Sequence, residues 1–164
     1  MPPYRLQTLL EMRETAEEEA KQAFSDAARA LTKEQVALKT LEDDLERRKI
    51  ERKAKVKTYM EEVMKRGVFA TGMTQMNRFE QKLKDDEAQV GLDIERQKET
   101  VRQAELHLET KRMEMAEAAK DKKAIEKHKD SWKKEVKKVA QDREDMQQEE
   151  IGNALHLART RKQG

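Results

Sequence analysis

Apolar side chains recur along most of the chain at alternating steps of four and three residues. In the second half the apolar members of this pattern are Val90, Ile94, Val101, Ala104, Leu108, Met115, Ala118, Ile125, Trp132, Val136, Val139, Met146 and Leu157. In the first half they are Leu6, Leu10, Ala20, Phe24, Ala27, Leu31, Leu38, Leu41 and Leu45, and after a drift Val56, Tyr59 and Val63. A 3.5-residue repeat sustained over many heptads is typical of a left-handed coiled coil. The pattern predicts two long helices.

One short stretch interrupts this pattern, the sequence KRGVFATGMTQM at residues 65–76. Gly67 can adopt the left-handed conformation that ends a helix, and the basic pair before it suits the negative end of the helix dipole. Thr71 and Thr74 are candidate caps for the next helix. We therefore predict a single domain, with helix 1 at about 5–66, a turn at about 67–71 and helix 2 at about 72–160.

The distribution of charge indicates how the two helices are arranged. If the chain folds back about residue 69, position i faces roughly position 138 − i. The acidic stretch 11–19 then faces the lysines of stretch 120–127, and the basic stretch 47–55 faces the acidic stretch 85–93. A parallel dimer would place each stretch against its own copy. The predicted fold class is all-α, a long antiparallel two-helix coiled-coil hairpin, and the protein is expected to be a monomer.

The two predicted helices are unequal in length. The same pairing places Leu6 opposite Trp132, so residues beyond about 135 extend as a single helix without a partner in the chain. This overhang carries the apolar residues Met146, Ile151, Leu155 and Leu157. Because an isolated helix has little stability of its own, we expect the overhanging C-terminal helix to bind a partner.

Composition supports helices and limits the size of any core. The chain is 43% charged, 35% hydrophobic and 4% aromatic, with a net charge of +2. Its bulk consists of strong helix formers. Near neutrality argues against nucleic-acid binding, which requires an excess of cations. There is no cysteine for disulfides or thiolate chemistry.

No apolar run approaches the ~20 residues of a membrane span. The start of the chain lacks the apolar stretch of a signal peptide. We expect a cytoplasmic protein with no direct membrane insertion.

Residues able to carry out chemistry are scattered along the helices. His107, His128 and His156 share one flank of helix 2 but lie ~30–40 Å apart along it, so they cannot share a metal and are interpreted as solvated. No phosphate loop, paired-carboxylate pocket or activated nucleophile can be assembled on two helices without a concave site. We expect no catalytic, cofactor or metal site, and a protein that is not an enzyme.

Basic residues and one aromatic residue occupy positions where the helices should meet. The basic ones are Lys111, Lys122, Lys129 and Arg143. Either their stems pack while their charged heads reach water, or they loosen the contact between the helices. The single tryptophan, Trp132, either packs between the helices or binds a partner.

Three places in the chain resemble one protein family. The start has Tyr4-Arg5-Leu6, then Leu9-Leu10 and Arg13, and the middle has Tyr59-Met60 before the turn and Phe79 after it. The end has His128-Lys129, Trp132 and Glu135, then Glu149-Glu150-Ile151-Gly152 and Leu155-His156. Over essentially the whole chain these features resemble the YscO and FliJ stalk proteins of type III secretion and flagellar export, and most closely the YscO branch.

The resemblance implies a function and a set of partners. Members of this family are antiparallel hairpins similar to the central stalk of rotary ATPases. The end with the termini enters the pore of a hexameric secretion ATPase, and the hairpin tip points toward the cytoplasmic domain of an export-gate membrane protein. Export chaperones and a needle-length regulator are further implied partners. The implied location is cytoplasmic, peripheral to the secretion apparatus at the inner membrane.

Candidate contact residues follow from the resemblance and from the residue pattern together. Tyr59, Phe79 and Leu83 match gate-contact positions of the flagellar branch, whereas stretch 48–55 lacks its apolar and aromatic residues. With the neighbouring apolar residues, the expected export-gate contacts are Tyr59, Met60, Met64, Phe69, Phe79 and Leu83. The expected ATPase-pore contacts are Leu6, Leu10, Arg13, Lys137, Lys138, Leu155, Leu157 and Arg159.

Two other functions remain open at this point. The chain could serve as a generic coiled-coil scaffold or adaptor without an export role. A tentacle-like holdase chaperone would need exposed apolar helix tips and an oligomeric platform, and the sequence has no segment that would form such a platform.

Overall fold

The computed structural model describes residues 2–67 and 69–163, and nearly all of them are helical. Helix α1 spans Gln7–Arg66 and helix α2 spans Phe69–Gln163, both without interruption. The described residues include no β-strand. The predictions of two long helices and of an all-α, hairpin-like arrangement are confirmed. None of the described helical segments is long and apolar enough to cross a membrane.

The turn between the helices is shorter than predicted. Gly67 has a φ of 70° and donates its N–H to the carbonyl of Val63 at 3.1 Å, as expected for a glycine that ends a helix. Val68 lies outside the described residues, and α2 begins at Phe69. A reversal built on one left-handed glycine needs few residues, so positions 69–71, assigned to the turn from sequence, belong to α2.

The two predicted cap residues lie inside α2 instead of before it. Thr71 is a helical residue, and Thr74 donates its hydroxyl hydrogen to the carbonyl of Ala70, one turn earlier, at 3.0 Å. Such a bond from a threonine back to its own helix is common inside helices. The prediction that Thr71 or Thr74 caps the helix is therefore wrong.

The beginning of α1 also differs from the expected position. Arg5 and Leu6 form a turn, and the N–H of Gln7 donates to the carbonyl of Tyr4 at 3.2 Å. Residues 2–4 are not helical. The helix therefore begins at residue 7, not 5. Tyr4 lies before it, so helical geometry does not fix the direction of its side chain.

The chain divides into two compact units, residues 22–113 and residues 1–21 with 114–164. In the unit of residues 22–113, the segments of α1 and α2 run antiparallel and are joined by the turn. Its buried apolar residues are Ala27, Val63, Met76, Val90, Ile94 and Val101. The guanidinium of Arg52 donates to both carboxylate oxygens of buried Glu87, at 2.8 and 3.1 Å. The Gln97 amide donates to the Glu34 carboxylate at 2.6 Å.

In the other unit, the first turns of α1 pack antiparallel against α2. Leu10 and Tyr4 are buried, and so is the acidic residue Glu17. The Glu17 carboxylate forms ion pairs with Lys21 at 2.8 Å and with Lys122, across the helix pair, at 3.5 Å. The expected facing of the acidic start with the lysines of stretch 120–127 is present here.

The facing expected between stretches 47–55 and 85–93 is only partly present. Arg52 crosses to Glu87, but Arg47 and Arg48 both pair with Asp44 of their own helix. Residues three and four positions apart on a helix are neighbours, so such local pairs compete with pairs across the helices.

The line of contact between α1 and α2, here called the seam, is thin in both units. No described side chain is less than 2% exposed. Two helices alone cover only one stripe of each other, so every seam side chain keeps an edge near water. Lys122 and Lys129 lie at the seam, half-buried, and their ammonium groups reach polar partners, which favours the interpretation that their stems pack.

Candidate interaction surfaces

The turn and the adjoining helical turns of α1 and α2 form the first candidate surface, called the tip surface and made of Tyr59, Met60, Met64, Phe69, Phe79 and Leu83. Val63 of α1 is buried against Gly72 of α2. A Cβ atom added at Gly72 would lie 2.8 Å from Cγ1 of Val63. Only a glycine allows the two helices to approach this closely next to the turn.

The two aromatic residues of the tip surface pack against each other. The ring centroids of Tyr59 and Phe79 are 5.8 Å apart with an interplanar angle of 22°, a stacked arrangement. The Tyr59 hydroxyl donates to Oε1 of Gln75 at 3.3 Å. Both rings are half-buried and line a shallow groove of about 310 Å³ together with Ala54, Lys55, Thr58 and Glu62. Each ring therefore keeps an edge toward solvent.

The other four residues of the tip surface differ in exposure. Met60 and Leu83 are half-buried, whereas Met64 is 60% and Phe69 54% exposed. Large apolar side chains this exposed, next to a turn, are available to a partner. The structure brings Tyr59 and Phe79 together and leaves Met64 and Phe69 free. That any of the six contacts an export gate stays a prediction.

A cluster around Tyr4 holds the start of α1 against α2. The hydroxyl of Tyr4 is hydrogen-bonded to Nδ1 of His128 at 2.5 Å, and its ring lies 5.0 Å from that of Trp132. The Lys129 ammonium donates to Oε1 of Gln7 at 2.7 Å and lies 5.9 Å from the centre of the Tyr4 ring. This cluster, called the Tyr4 clasp, buries an aromatic body while satisfying its polar tip.

The Tyr4 clasp adds to two expectations. The Tyr4 ring packs on Trp132, which was expected opposite Leu6, because the nonhelical backbone before α1 lets Tyr4 reach across. His128 is exposed, as expected, and its imidazole also bonds to Tyr4. Sequence reasoning missed the role of Tyr4 because this residue precedes the heptad pattern. The signal available was an aromatic residue just before the first helical turn, facing a histidine and a tryptophan.

The second candidate surface, called the terminal surface, contains the eight residues expected to meet an ATPase. Leu10 is buried in the seam, and Leu6 and Arg13 are half-buried, with Arg13 3.4 Å from the Asp121 carboxylate. The remaining five, Lys137, Lys138, Leu155, Leu157 and Arg159, are exposed. The structure therefore separates the eight into three that pack within the protein and five that are free to bind.

The exposed five belong to a long stretch of α2 here called the C-terminal extension, residues 137–163. Every side chain of residues 137–162 is exposed, including those of Val139, Met146 and Ile151. At its beginning, Trp132, Val136 and Val139 line a groove of about 510 Å³ together with Pro2, Glu135, Ala140 and Arg143. The heptad pattern continues through the extension although the described α1 does not cover it.

Neighbouring cations stabilise the charge of two carboxylates on α1. The hydrogen bond from Lys21, together with the positive charge of Lys122, lowers the pKa of the Glu17 carboxyl, although burial opposes the shift. Hydrogen bonds from Arg48 and Arg47 likewise lower the pKa of Asp44. Both carboxyls are thereby kept ionised beside their cations. Among the described residues, no group of histidine, aspartate and glutamate side chains is arranged to hold a metal ion.

Comparison with known proteins identifies the family. A family model of YscO-like proteins matches residues 1–162. A solved structure of a protein described as a YscO homologue, from Chlamydia trachomatis, superposes with a TM-score of 0.82 at 23% sequence identity and covers 99% of each chain, which shows a common fold. A search of curated proteins gave no match. The chain therefore belongs to the YscO-like family, a non-enzymatic family associated with type III secretion.

Proposed function

We propose that the protein is the central stalk of a type III secretion export apparatus, linking a hexameric secretion ATPase to the membrane export gate. The observation that carries the proposal is the C-terminal extension, a helix exposed on all sides whose heptad pattern continues. A single helix in water gains little stability from its own hydrogen bonds. Its exposed apolar side chains indicate that a partner covers it in the assembled state.

The charges of the extension suit a ring-shaped partner. Basic residues 137 and 138 precede an acidic stretch at 142–150, and basic residues follow at 159–162. Six identical subunits cannot all pack closely on one asymmetric helix. Exposed ion pairs are worth only ~0.2–1 kcal/mol each and exchange easily, so a charged shaft can meet successive subunits in turn. In this proposal Leu155 and Leu157 supply the apolar anchors, and Leu10 and Arg13 support the helix pair from which the extension leaves.

The tip surface is the proposed contact for the export gate. Met64 and Phe69 project freely, and the stacked pair of Tyr59 and Phe79 offers ring edges beside them. Methionine adapts to irregular partners, and aromatic side chains carry a large share of interface energy. Export chaperones and a needle-length regulator are further proposed partners.

The stimulation of ATP hydrolysis by the cognate ATPase tests the terminal surface. We expect Leu155→Ala with Leu157→Ala to reduce stimulation at least about fivefold, because two apolar anchors are lost from the interface. A matched control is Leu92→Ala with Leu106→Ala: these side chains are 55% and 58% exposed, against 56% and 58% for Leu155 and Leu157. Equal loss in both double variants would contradict the proposal, as would full stimulation by a chain lacking residues 140–164.

The salt dependence of binding tests the contribution of charge to the ATPase contact. Rising salt should weaken the complex of the intact chain with the ATPase, since exposed charges are screened.

A double variant tests the gate contact. Met64→Ala with Phe69→Ala should weaken binding to the cytoplasmic domain of the gate protein while circular dichroism stays unchanged. The stacked residues are poorer probes, because their loss would also loosen the tip. A matched control is Met12→Ala with Met113→Ala, at similarly exposed positions.

A further inference from the structure

Positive charge is concentrated around the turn. Residues 47–84 contain 12 Lys and Arg and 4 Asp and Glu, a net charge of +8, whereas the whole chain carries +2, so the remainder carries −6. Such a separation of charge within a nearly neutral chain creates a local positive field. Exposed carboxylates flank the segment at Glu46 and Asp85 and lie within it at Glu61 and Glu62, and Glu51 inside it pairs with Arg47.

Only part of this charge is used within the protein. Arg47 and Arg48 pair with Asp44, and Arg52 pairs with Glu87. In contrast, Lys49, Lys53 and Lys57 are exposed and form no ion pair in the part of the chain that the structure describes. Residues four apart are neighbours on a helix, so these three lysines form one ridge about 12 Å long.

Exposed apolar side chains share the face of this lysine ridge. Ile50 and Met64 lie within about 100° of the ridge around the helix, and both are among the exposed large apolar residues. Phe69 is exposed at the end of the turn, after the cations Lys65 and Arg66. Glu46 begins the face and Glu61 borders it. The face therefore combines several lysines with separate apolar side chains.

We propose that this face, called the lysine face and made of Lys49, Ile50, Lys53, Lys57 and Met64 with Phe69 at its end, binds the surface of an anionic phospholipid bilayer. The three lysines of the ridge and the pair Lys65 and Arg66 at the end of α1 make five cations, and clusters of four to eight Lys and Arg are attracted by anionic headgroups. Apolar side chains on the same face enter the boundary between headgroups and acyl chains, and the helix lies on the membrane without crossing it.

Lysine chemistry favours a bilayer over nucleic acid as the occupant. An ammonium is a compact, hydrated charge that suits the diffuse charge of headgroups, whereas the arginine fork suits phosphate recognition. Arg47, Arg48 and Arg52 are engaged with carboxylates of the protein, whereas Lys49, Lys53 and Lys57 form no ion pair among the described residues. A bilayer would also remove the exposed apolar side chains of the face from water. The proposal goes beyond the stalk function and shares Met64 and Phe69 with the proposed gate contact, so a chain lying on the bilayer presents these two side chains to lipid and not to the gate protein.

Flotation of the full chain with phospholipid vesicles tests the lysine face. We expect binding to vesicles of phosphatidylcholine with about a third phosphatidylglycerol, and none to pure phosphatidylcholine, at low salt. Each lysine near the surface contributes about fivefold in affinity, so Lys49→Gln, Lys53→Gln and Lys57→Gln together should weaken binding up to about a hundredfold. Ile50→Ala with Met64→Ala should weaken it several-fold without changing its salt dependence.

A matched control removes three exposed lysines from one face of α2, Lys120, Lys123 and Lys127, by the same change to glutamine. Its binding should stay within about threefold of the original chain, since these residues lie outside the lysine face. Equal loss in both triple variants would overturn the proposal, as would equal binding to neutral vesicles or no binding of the original chain at all. Displacement of the chain from vesicles by a single-stranded oligonucleotide, through tighter binding, would assign the face to nucleic acid instead.

Discussion

The two helices are held together by one means at the turn and by another at the start of α1. At the turn, the chain itself joins α1 to α2, and the helices need only approach, which Gly72 permits beneath Val63. At the start of α1 nothing covalent connects the helices. There the Tyr4 clasp combines a hydrogen bond to His128, a ring contact with Trp132 and a nearby ammonium from Lys129.

The difference shows that side-chain contacts must hold the helices together where no covalent connection does. Ordering the end of a helix costs about 1–2 kcal/mol of backbone entropy for each residue fixed. Near the turn, the short connection limits the freedom of both helices. At Tyr4, only noncovalent contacts compensate for this cost, and they are concentrated in one residue. The start of α1 is therefore expected to be sensitive to a single substitution.

The largest effect is expected for Tyr4→Ala. Removing a buried aromatic ring costs about 3 kcal/mol, here from the free energy of unfolding the first turns of α1. The single tryptophan, Trp132, should then emit at longer wavelength, and the amides of residues 7–21 should exchange hydrogen faster. Tyr4→Phe is the matched control: it loses only the hydroxyl contact with His128, at about 1 kcal/mol. Unchanged exchange in Tyr4→Ala would show that the seam alone holds this end.

A somewhat smaller effect is expected for Gly72→Val at the turn. The new Cβ would meet Val63 at 2.8 Å, inside the closest real contacts, so the helices must move apart. Overpacking of this kind costs about 1–3 kcal/mol. Thermal unfolding followed by circular dichroism should show a lower midpoint, with hydrogen exchange raised near the turn and not at residues 7–21. If Gly72→Val is as stable as the original chain, the close approach of the helices is not required.

Acid should weaken the helix pair near Glu17. Because the Lys21 hydrogen bond and the Lys122 charge lower the folded-state pKa of Glu17, its stabilising contribution is present above the ordinary carboxyl range. It is lost as the pH falls below about 4 and through the folded pKa. In Glu17→Gln the loss of thermal stability between neutral and acidic pH should be smaller. The control is Glu14→Gln, three positions away, exposed and without an ion pair among the described residues, which should lose as much thermal stability on acidification as the original chain.

The smallest effect is expected for Gly91→Ala, which should stabilise the protein. Nothing lies within 4 Å of a Cβ added at Gly91, and its φ is not positive. Alanine in a helix interior is favoured over glycine by roughly 0.5–1 kcal/mol. The midpoint of thermal unfolding should rise slightly. A fall would indicate that Gly91 serves a contact absent from the isolated chain.

Sequence periodicity predicted the helices and most of the seam. Leu10, Ala27, Val90, Ile94 and Val101 were expected at seam positions, and all five are buried. Two long helices can bury side chains only along one stripe of each helix, so the positions of the apolar repeat are the positions that become buried. The antiparallel arrangement was predicted from charge: the acidic start faces the lysines of stretch 120–127, whereas stretch 47–55 meets stretch 85–93 only through Arg52 and Glu87.

The features that the heptad pattern did not predict depend on irregular backbone, on local side-chain pairs or on another molecule. Tyr4 precedes the repeat, and Thr74 bonds within its helix instead of capping it. Glu87 lies three residues before Val90, where the predicted apolar pattern of the second half starts, and this carboxylate is buried with its partner Arg52 reaching across the helix pair. Contacts with an ATPase, a gate or a membrane depend on the partner's surface, which the chain does not encode.

The antiparallel arrangement also has a consequence for the order of folding. Contacts near the turn join residues close in sequence, such as Tyr59 and Gln75, 16 positions apart. Arg52 and Glu87 are separated by 35 positions, Glu34 and Gln97 by 63, and Tyr4 and His128 by 124. Loop-closure entropy rises with this separation, and local contacts form sooner. The helices should therefore nucleate at the turn and zip toward Tyr4, whose clasp closes last and, on unfolding, opens first.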